Sequence, residues 1–380
     1  MLTTDIDLIK NCKQVLSDFF SESIDTYIDI FFHEKPTKLD NNKAKILEKA
    51  GILRKNKDKY IANVFAFPFA GKFIITDFLF SIYRKKGNTF TRRVDDVWPM
   101  YPFETLAFVK GLRDDLNNPA IKNKLCLDLA SGSGTIGLFL AEKFEKIISA
   151  DINPKAVQYA NFNAILNNLE NKIVNVQSNV FNDLKKYKFD YIVWNGPTGA
   201  FPEVKNPEKY YPQYIYGGND GTKFTQKFLD HVFNFVTKYF KVKFLDCSLG
   251  NSEESITESY IRSKFSNLHV EVKIEFLNKN GGQLLKGYQK LYDKYCLDKL
   301  PMELKFDNTY KKAAQEWKKD LEYRKLTHVY FSYISIFPSD KFKITHVYPE
   351  RSSFLPKHNF GFEWHYASKK FIKEFLLDNQ

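Results

Sequence analysis

Asp128, Asp151, Asn179 and Asn195 each close a short apolar run, and each can read a hydrogen-bonding edge. Leu125-Cys-Leu-Asp-Leu129 reads as a buried parallel strand. A turn of small residues follows (Ala130, Ser131, Gly132, Ser133, Gly134) before Ile136, Leu138, Phe139 and Leu140 begin a helical pattern. Glycine has no Cβ, so such a turn lets main-chain N–H groups and a helix start approach a ligand. Asp151 ends a second run, Lys146-Ile-Ile-Ser-Ala-Asp151, where an acid accepts from a ribose diol; Ile152 and Asn153 follow it. Asn179 ends a third run from Val174 and, beside Val180 and Phe181, forms a candidate clamp for an adenine edge and face. The fourth run, Phe189–Trp194, leads into Asn195-Gly196-Pro197-Thr198, a polar turn able to orient a second reactant.

Positioning these groups needs alternating strands and helices. The segment after the first turn spaces its apolar residues as a helix. The segment after Asp151 does likewise through Ala156, Tyr159, Ala160, Asn163, Ala164, Leu166 and Leu169. A fifth strand is expected over Phe240–Asp246 and a late, antiparallel one over Leu268–Leu277. The fold class expected is therefore α/β, a Rossmann-like core, set over residues 91–280. Residues 1–90 read as an N-terminal cap. Helices through Ile6–Phe20, Ile24–Phe31 and Ala44–Gly51 precede β-like runs at Tyr60–Phe67 and Lys72–Phe78, an order that resembles a winged helix. Residues 281–380 read as a C-terminal α+β extension with a helix through Tyr310–Tyr323 and an alternating strand over His328–Phe337. Arg351, His358, Trp364 and His365 follow, and the tail is a candidate lining of an acceptor pocket or simply core.

The order of glycine turn, ribose acid, adenine-edge amide and polar tetrad resembles that of the S-adenosylmethionine-dependent methyltransferases. Three further blocks are similar to the small-domain family among them, which includes protein glutamine-N5 and RNA guanine-N2 methyltransferases. They are Asp151-Ile-Asn-Pro-Lys-Ala156 with Asn163-Ala164, the loop Tyr216-Gly-Gly-Asn-Asp-Gly221 followed by Phe224 and Phe228, and Tyr101-Pro-Phe-Glu-Thr105 upstream. The resemblance spans residues 95–250. It implies a class I methyltransferase core, S-adenosylmethionine as cofactor and methyl transfer to nitrogen. The cofactor-binding residues it implies are Thr105, Asp128, Ala130, Ser131, Gly132, Gly134, Asp151, Ile152, Asn153, Asn179, Val180 and Asn195, with Asn195, Gly196 and Pro197 as the catalytic turn. The family's tetrad is normally Asn or Asp, Pro, Pro and an aromatic residue. Asn195 and Pro197 match it, whereas Gly196 and Thr198 depart from it.

Composition bounds the remaining choices. Hydrophobic residues make up 43% of the 380-residue chain, enough for real cores, so global disorder is excluded. There is no run of about twenty uncharged apolar residues to span a membrane and no basic-then-apolar leader, so a cytoplasmic location is expected. Cys12, Cys126, Cys247 and Cys296 lack a paired spacing and read as reduced thiols. His358 and His365 match no zinc pattern, and no metal is expected. The net charge of +12 invites an RNA partner, but its lysines lie in scattered clusters rather than a stripe. Thr198 cannot stack on a flipped base, so a protein, peptide or small-molecule acceptor is favoured slightly over RNA. Two alternatives stay open: a small-molecule methyltransferase of specialised metabolism, and an inactive cofactor-binding scaffold. The oligomeric state is left undetermined.

Overall fold

The computed structural model describes residues 1–78, 85–86, 89–90, 95–98, 105, 108–109, 111–112, 125–285, 308–350 and 368–378. Helices α1 (Ile6–Glu22), α2 (Ile24–Phe31) and α3 (Asn41–Lys49) open the chain. Asp5 accepts from the Leu8 N–H and Asp40 from those of Asn42 and Lys43, so each carboxylate satisfies donors that a helix start leaves unpaired. Two antiparallel hairpins follow, β1 (Leu53–Asn56) with β2 (Lys59–Ala62) and β3 (Phe65–Phe69) with β4 (Lys72–Thr76). The run expected over Tyr60–Phe67 is thus broken. Asn63 donates its side-chain amide to the carbonyls of Gly51 and Leu53, which ends β2 and frees β3 to pair forward. The first arm, Leu53–Asn56, has only one buried residue and leaves little apolar signal.

Side-chain amides weld this cap to the core. In α5 (Pro154–Leu166) and the turn after it, Asn163 and Asn167 stand one helical turn apart, facing β4. Asn163 accepts from the Ile75 N–H and donates to the Ile75 carbonyl, both at 2.8 Å. Asn167 does the same at Phe73, at 3.1 and 2.8 Å. Four helical residues rise about 6 Å and two strand residues about 6.6 Å, so two carboxamides on one helix face can copy the ladder of a missing neighbour strand. That explains the amide-rich composition of α5. Asp77, just beyond β4, adds Lys155 at 2.7 Å, Tyr159 at 2.8 Å and the Val97 N–H at 2.8 Å.

The central sheet holds β5 (Leu125–Leu129), β6 (Lys146–Asp151), β7 (Ile173–Gln177), β8 (Phe189–Trp194), β9 (Val236–Gly250), β10 (Val270–Phe276), β11 (Gly282–Leu284), β12 (His328–Pro338) and β13 (Lys343–Val347). Their order is β13-β10-β12-β9-β8-β5-β6-β7, with β11 paired to β12. Strands β5 to β9 run parallel, and β12 is antiparallel to β9, β10 and β11. The chain winds from β5 outward through β6 and β7, then crosses back to place β8 on the other side of β5. The topological switch point lies there, and ligands of open α/β sheets bind beyond the strands' carboxyl ends at such points. Further helices are α4 (Thr135–Leu140), α6 (Lys223–His231), α7 (Ile256–Phe265), α8 (Asn308–Tyr323) and α9 (Lys369–Asp378), and Lys85–Lys86 pairs antiparallel with Thr89–Phe90.

The strand read as part of a C-terminal extension is a sheet member. β12 lies between β9 and β10, with nine register pairs to β9 from Val242–Ile336 to Gly250–His328. A boundary at residue 281 therefore cuts the sheet. The pattern of His328–Phe337 fixed a strand but not its neighbours, because strand pairing over such a distance leaves no local trace. Cys12 and Cys126 are buried with free thiols, and Cys247 is half-buried. Burial pushes the Cys12 thiol up to about 12 and that of Cys126 well above its usual value. Cys296, Tyr101–Glu104 and Arg351, His358, Trp364 and His365 lie outside the described residues.

Candidate active site

The turn after β5 is shaped by backbone that side chains resist. Ala130, Gly132 and Gly134 all have positive φ, at 56°, 55° and 77°. A Cβ on Gly134 would press on Ala160 of α5 at 3.0 Å, so the loop sits tight on that helix. A Cβ on Gly132 would meet nothing within 4 Å, which leaves this stretch of main chain facing open space. Asn163 reaches the loop too, donating to the Ser133 carbonyl at 2.9 Å while it pairs with β4. The cap, the helix and the loop therefore share one side chain.

Asp151 closes the loop from β6. Its Oδ2 accepts from the Gly132 N–H and its Oδ1 from the Asn153 N–H, both at 2.8 Å. Each oxygen keeps a lone pair for a further donor. Burial raises its pKa, and the backbone bonds from Asn153, Gly132 and Ile152 oppose that rise. Ile152 beside it is 49% exposed, a large apolar side chain at the rim that a flat ring can cover. Asn153 is committed elsewhere. Its Oδ1 caps α5 through the Lys155 N–H, and its amide donates to the Asp95 carbonyl, so its side chain serves the fold.

Asp128 also differs from its expected place among ligand-contacting residues. Strand alternation sends its side chain under α4, where it is fully buried and accepts from the Gly137 N–H at 2.8 Å. A Cβ on Gly137 would crowd both Ser149 Oγ and Asp128 Oδ2, so glycine lets α4 settle onto the sheet. Burial first, and then the charge of Asp151, push the Asp128 carboxyl up to about 7 despite the Gly137 bond. Asp128 thus holds the loop's floor. Thr105 is buried, with a hydroxyl that has no protein partner among the described residues.

On the far side of β6, Asn179 is exposed and its Oδ1 accepts from Lys227 of α6 at 2.9 Å. Val180 is held at φ 54° by Ser178, whose hydroxyl donates to the Val180 carbonyl. Phe181 is no part of a clamp. It stacks on Phe235 at 4.4 Å and lies 5.8 Å from Phe228, inside the core.

Beyond β8, the half-buried Asn195 carboxamide has no hydrogen-bond partner among the described residues. Gly196 has a packing reason: a Cβ there would fall inside the indole of Trp194, which stacks on Phe228 at 4.9 Å. Thr198 is buried, and Gly217 and Gly221 each approach its main chain too closely to carry a Cβ. The loop locks onto the Gly-rich segment by Gly199 N–H to Ile215 O (2.8 Å), Gly217 N–H to Gly199 O (2.7 Å) and Phe201 N–H to Gly218 O (2.9 Å). Phe201, Tyr211 and Tyr216 pack together behind it, with Tyr211 and Tyr216 stacked at 5.0 Å. Sequence reasoning missed the fixings behind this segment: Trp317 donates to the Asn219 carbonyl, and Arg324 to Asp220 at 2.7 Å.

A family model described as the methyltransferase small domain matches residues 108–205, which include both loops of the site. A putative protein N5-glutamine methyltransferase of Methanocaldococcus jannaschii is 34% identical over 156 residues, covering 41% of this chain and 75% of that protein. The chain belongs to the small-domain methyltransferases. A release factor glutamine methyltransferase of Fusobacterium nucleatum is 43% identical over 93 residues, 22% of this chain and 26% of that relative. Two further proteins of that name, from Thermodesulfovibrio yellowstonii and Aquifex aeolicus, are matched over 40% and 55% of their length. The crystal structure of M. jannaschii tRNA m1G37 methyltransferase overlaps with a TM-score of 0.41 at 13% identity, over 86% of this chain and 79% of that one.

This small-domain methyltransferase uses S-adenosylmethionine, and the residues present suit that group. A carboxylate with spare lone pairs, an exposed apolar side chain next to it and main chain opening onto free space answer a ribose, a flat base and an amino-acid moiety in turn. Among the described residues, no helix is long and apolar enough to cross a membrane. None of their His, Cys, Asp and Glu side chains gather into a group of three able to hold a metal ion.

Proposed function

We propose that this methyltransferase N-methylates a planar amide on a protein or peptide. The observation that carries the reading is the Asn195 carboxamide at the carboxyl end of β8, which has no hydrogen-bond partner among the described residues, beside a turn whose neighbours Trp194, Phe201, Tyr211 and Tyr216 are engaged in packing. Asn195 Oδ1 and the Gly196 carbonyl accept from the two N–H bonds of an amide NH₂ and turn its nitrogen toward the cofactor. Trp194, Phe201, Tyr211 and Tyr216 are buried against one another or against the core, so none offers a stacking face to a base. Base–aromatic stacking contributes roughly 1–3 kcal/mol per base, and its loss favours an amide over a nucleobase.

Asp151 holds the ribose hydroxyls of the cofactor and Ile152 covers its adenine, with Val180 at the rim. Asn179, its oxygen taken by Lys227, donates its amide to a ring nitrogen. The main chain of Ser131–Gly134 holds the amino-acid end, with Ala130 shaping the turn, and Thr105 supplies its hydroxyl there. The cofactor brings an activated methyl on a sulfonium. The protein's part is alignment, since an in-line displacement gains most from holding both reactants in attack geometry. Tritiated S-adenosylmethionine incubated with separated protein and RNA fractions tests the reading. Label is expected in a protein band, at a glutamine or similar side chain by mass spectrometry, and absent with Asn195→Ala, whose cofactor affinity stays near normal. Label confined to RNA or to small molecules overturns it.

A further inference from the structure

One face of α8, continued by Arg324 just past its end, lies along the acceptor-side loop. Ala313 packs against the cluster of Phe201, Val204, Tyr211 and Tyr216, Trp317 Nε1 donates to the Asn219 carbonyl, and Arg324 Nη2 donates to Asp220 Oδ2 at 2.7 Å. Positions 313, 317 and 324 recur on a helical period, so these contacts share a stripe roughly 16 Å long. Leu321, on the same stripe, is buried. The three contacts meet the loop at its aromatic back, its middle and its end.

Asp220 is the pivot. Its Oδ1 accepts from both the main chain and the hydroxyl of Thr222, the residue that opens α6, at 3.1 and 2.7 Å. Its carbonyl accepts from the Leu249 N–H at the end of β9. A second carboxylate, the fully buried Asp246, lies near it: burial first, and then the charge of Asp220, raise the Asp246 pKa. Arg324 is the cation that compensates Asp220, and Asp320 steadies its other guanidinium nitrogen at 3.4 Å. Glycines at 217, 218 and 221 give the loop freedom that only outside contacts can remove, and its main chain sits directly on the turn that carries Asn195.

The geometry points to Arg324 and Trp317 as positioning residues that clamp the Tyr216–Gly221 loop, and through it the Asn195 turn, in the geometry for methyl transfer. This rests on the proposed role of Asn195 as the acceptor-orienting group. The clamp acts on transfer and not on cofactor binding, because Asp151 and the Gly132 turn belong to other elements.

The test compares Arg324→Ala, Arg324→Lys and Asp220→Asn in the full chain. The first readout is amide hydrogen exchange, which needs no acceptor. In Arg324→Ala the Gly217 and Lys223 amides, bonded to Gly199 and Gly217, are expected to exchange about tenfold faster or more, while the Leu127 amide of β5 is unchanged. Arg324→Lys should restore much of the protection. The second readout is methyl transfer from tritiated S-adenosylmethionine into denatured cell protein, with cofactor affinity by calorimetry. Turnover in Arg324→Ala is expected to fall about tenfold, with cofactor affinity within about twofold of wild type. Unchanged exchange at 217 and 223 overturns the clamp, as does uniform loosening of the whole sheet, or faster exchange with full turnover. If the wild type labels no protein, the amide-acceptor reading fails by itself and exchange still decides the clamp.

Discussion

At the residue scale, Gly196 shows how a departure from a family pattern gains a local cause. The family commonly has proline there, but the Trp194 indole fills the space any Cβ would need. Gly196→Ala should cost about 1–3 kcal/mol by overpacking, measured by denaturant unfolding. Trp194→Leu in the same chain should recover part of that loss, because the two side chains compete for one volume. Strictly additive losses would show that the clash is not the cause.

Two buried carboxyls, Asp128 and Asp246, contribute to a pH dependence. Asp128 is pushed up to about 7 and Asp246 to about 6, each chiefly by burial, from an ordinary value of 3.8. Both bind a proton more tightly folded than unfolded, so their stabilising share is full below about pH 4 and is lost as pH rises through about 6 and 7. Melting temperature should therefore carry a component that declines from pH 4.5 to 8. Asp246→Asn should shrink it, since the Ser248 and Thr257 hydroxyls that now donate to Asp246 can rotate to accept. An identical decline in the variant would exclude Asp246 as a source.

At the element scale, the legible parts were those whose signal is local. The strands β5, β6 and β8 and their following turns were read within a residue or two, because an apolar run ending in a polar group and glycine is written contiguously. What was not legible depends on which faces meet. Asn163 falls on the apolar face of the expected helix and Asn167 carries no signal of its own, so their pairing with β4 could not be inferred without knowing that β4 lies there. Likewise the adenine clamp placed Phe181 outward, whereas its rings of contact are Phe228 and Phe235 in the core. The ladder makes a separable prediction. Asn163→Ala strands the Ile75 N–H and two carbonyls, Ile75 and Ser133, and should cost about 2–5 kcal/mol and weaken cofactor binding. Asn167→Ala touches Phe73 and the Asn163 carbonyl but not the loop, so it should lower stability and spare affinity. Unfolding curves beside calorimetry distinguish the two, and equal losses of affinity would break the link from Asn163 to Ser133.

At the scale of the whole molecule, the order of the sheet decides which fragments can fold. The sequence suggested a core ending at residue 280, followed by an extension. In the sheet, β12 is the central strand of the antiparallel half, with β9 on one side and β10 and β11 on the other. Ile334 and Ile336 are fully buried there, and Val329 and Tyr330 nearly so. A chain of residues 1–285 keeps every cofactor-side group yet leaves β9 and β10 with unpaired edges facing each other across an empty strand. Unpaired edges invite association with other chains, and buried backbone groups without partners each cost about 1–3 kcal/mol. Fragment 1–285 should therefore aggregate or stay unfolded, while fragment 1–350, which restores β12 and β13, should fold and bind S-adenosylhomocysteine. Circular dichroism and calorimetry on both fragments check this. Full-strength binding by 1–285 would mean that the cofactor half stands without its antiparallel neighbours, and that β12 serves only the acceptor side.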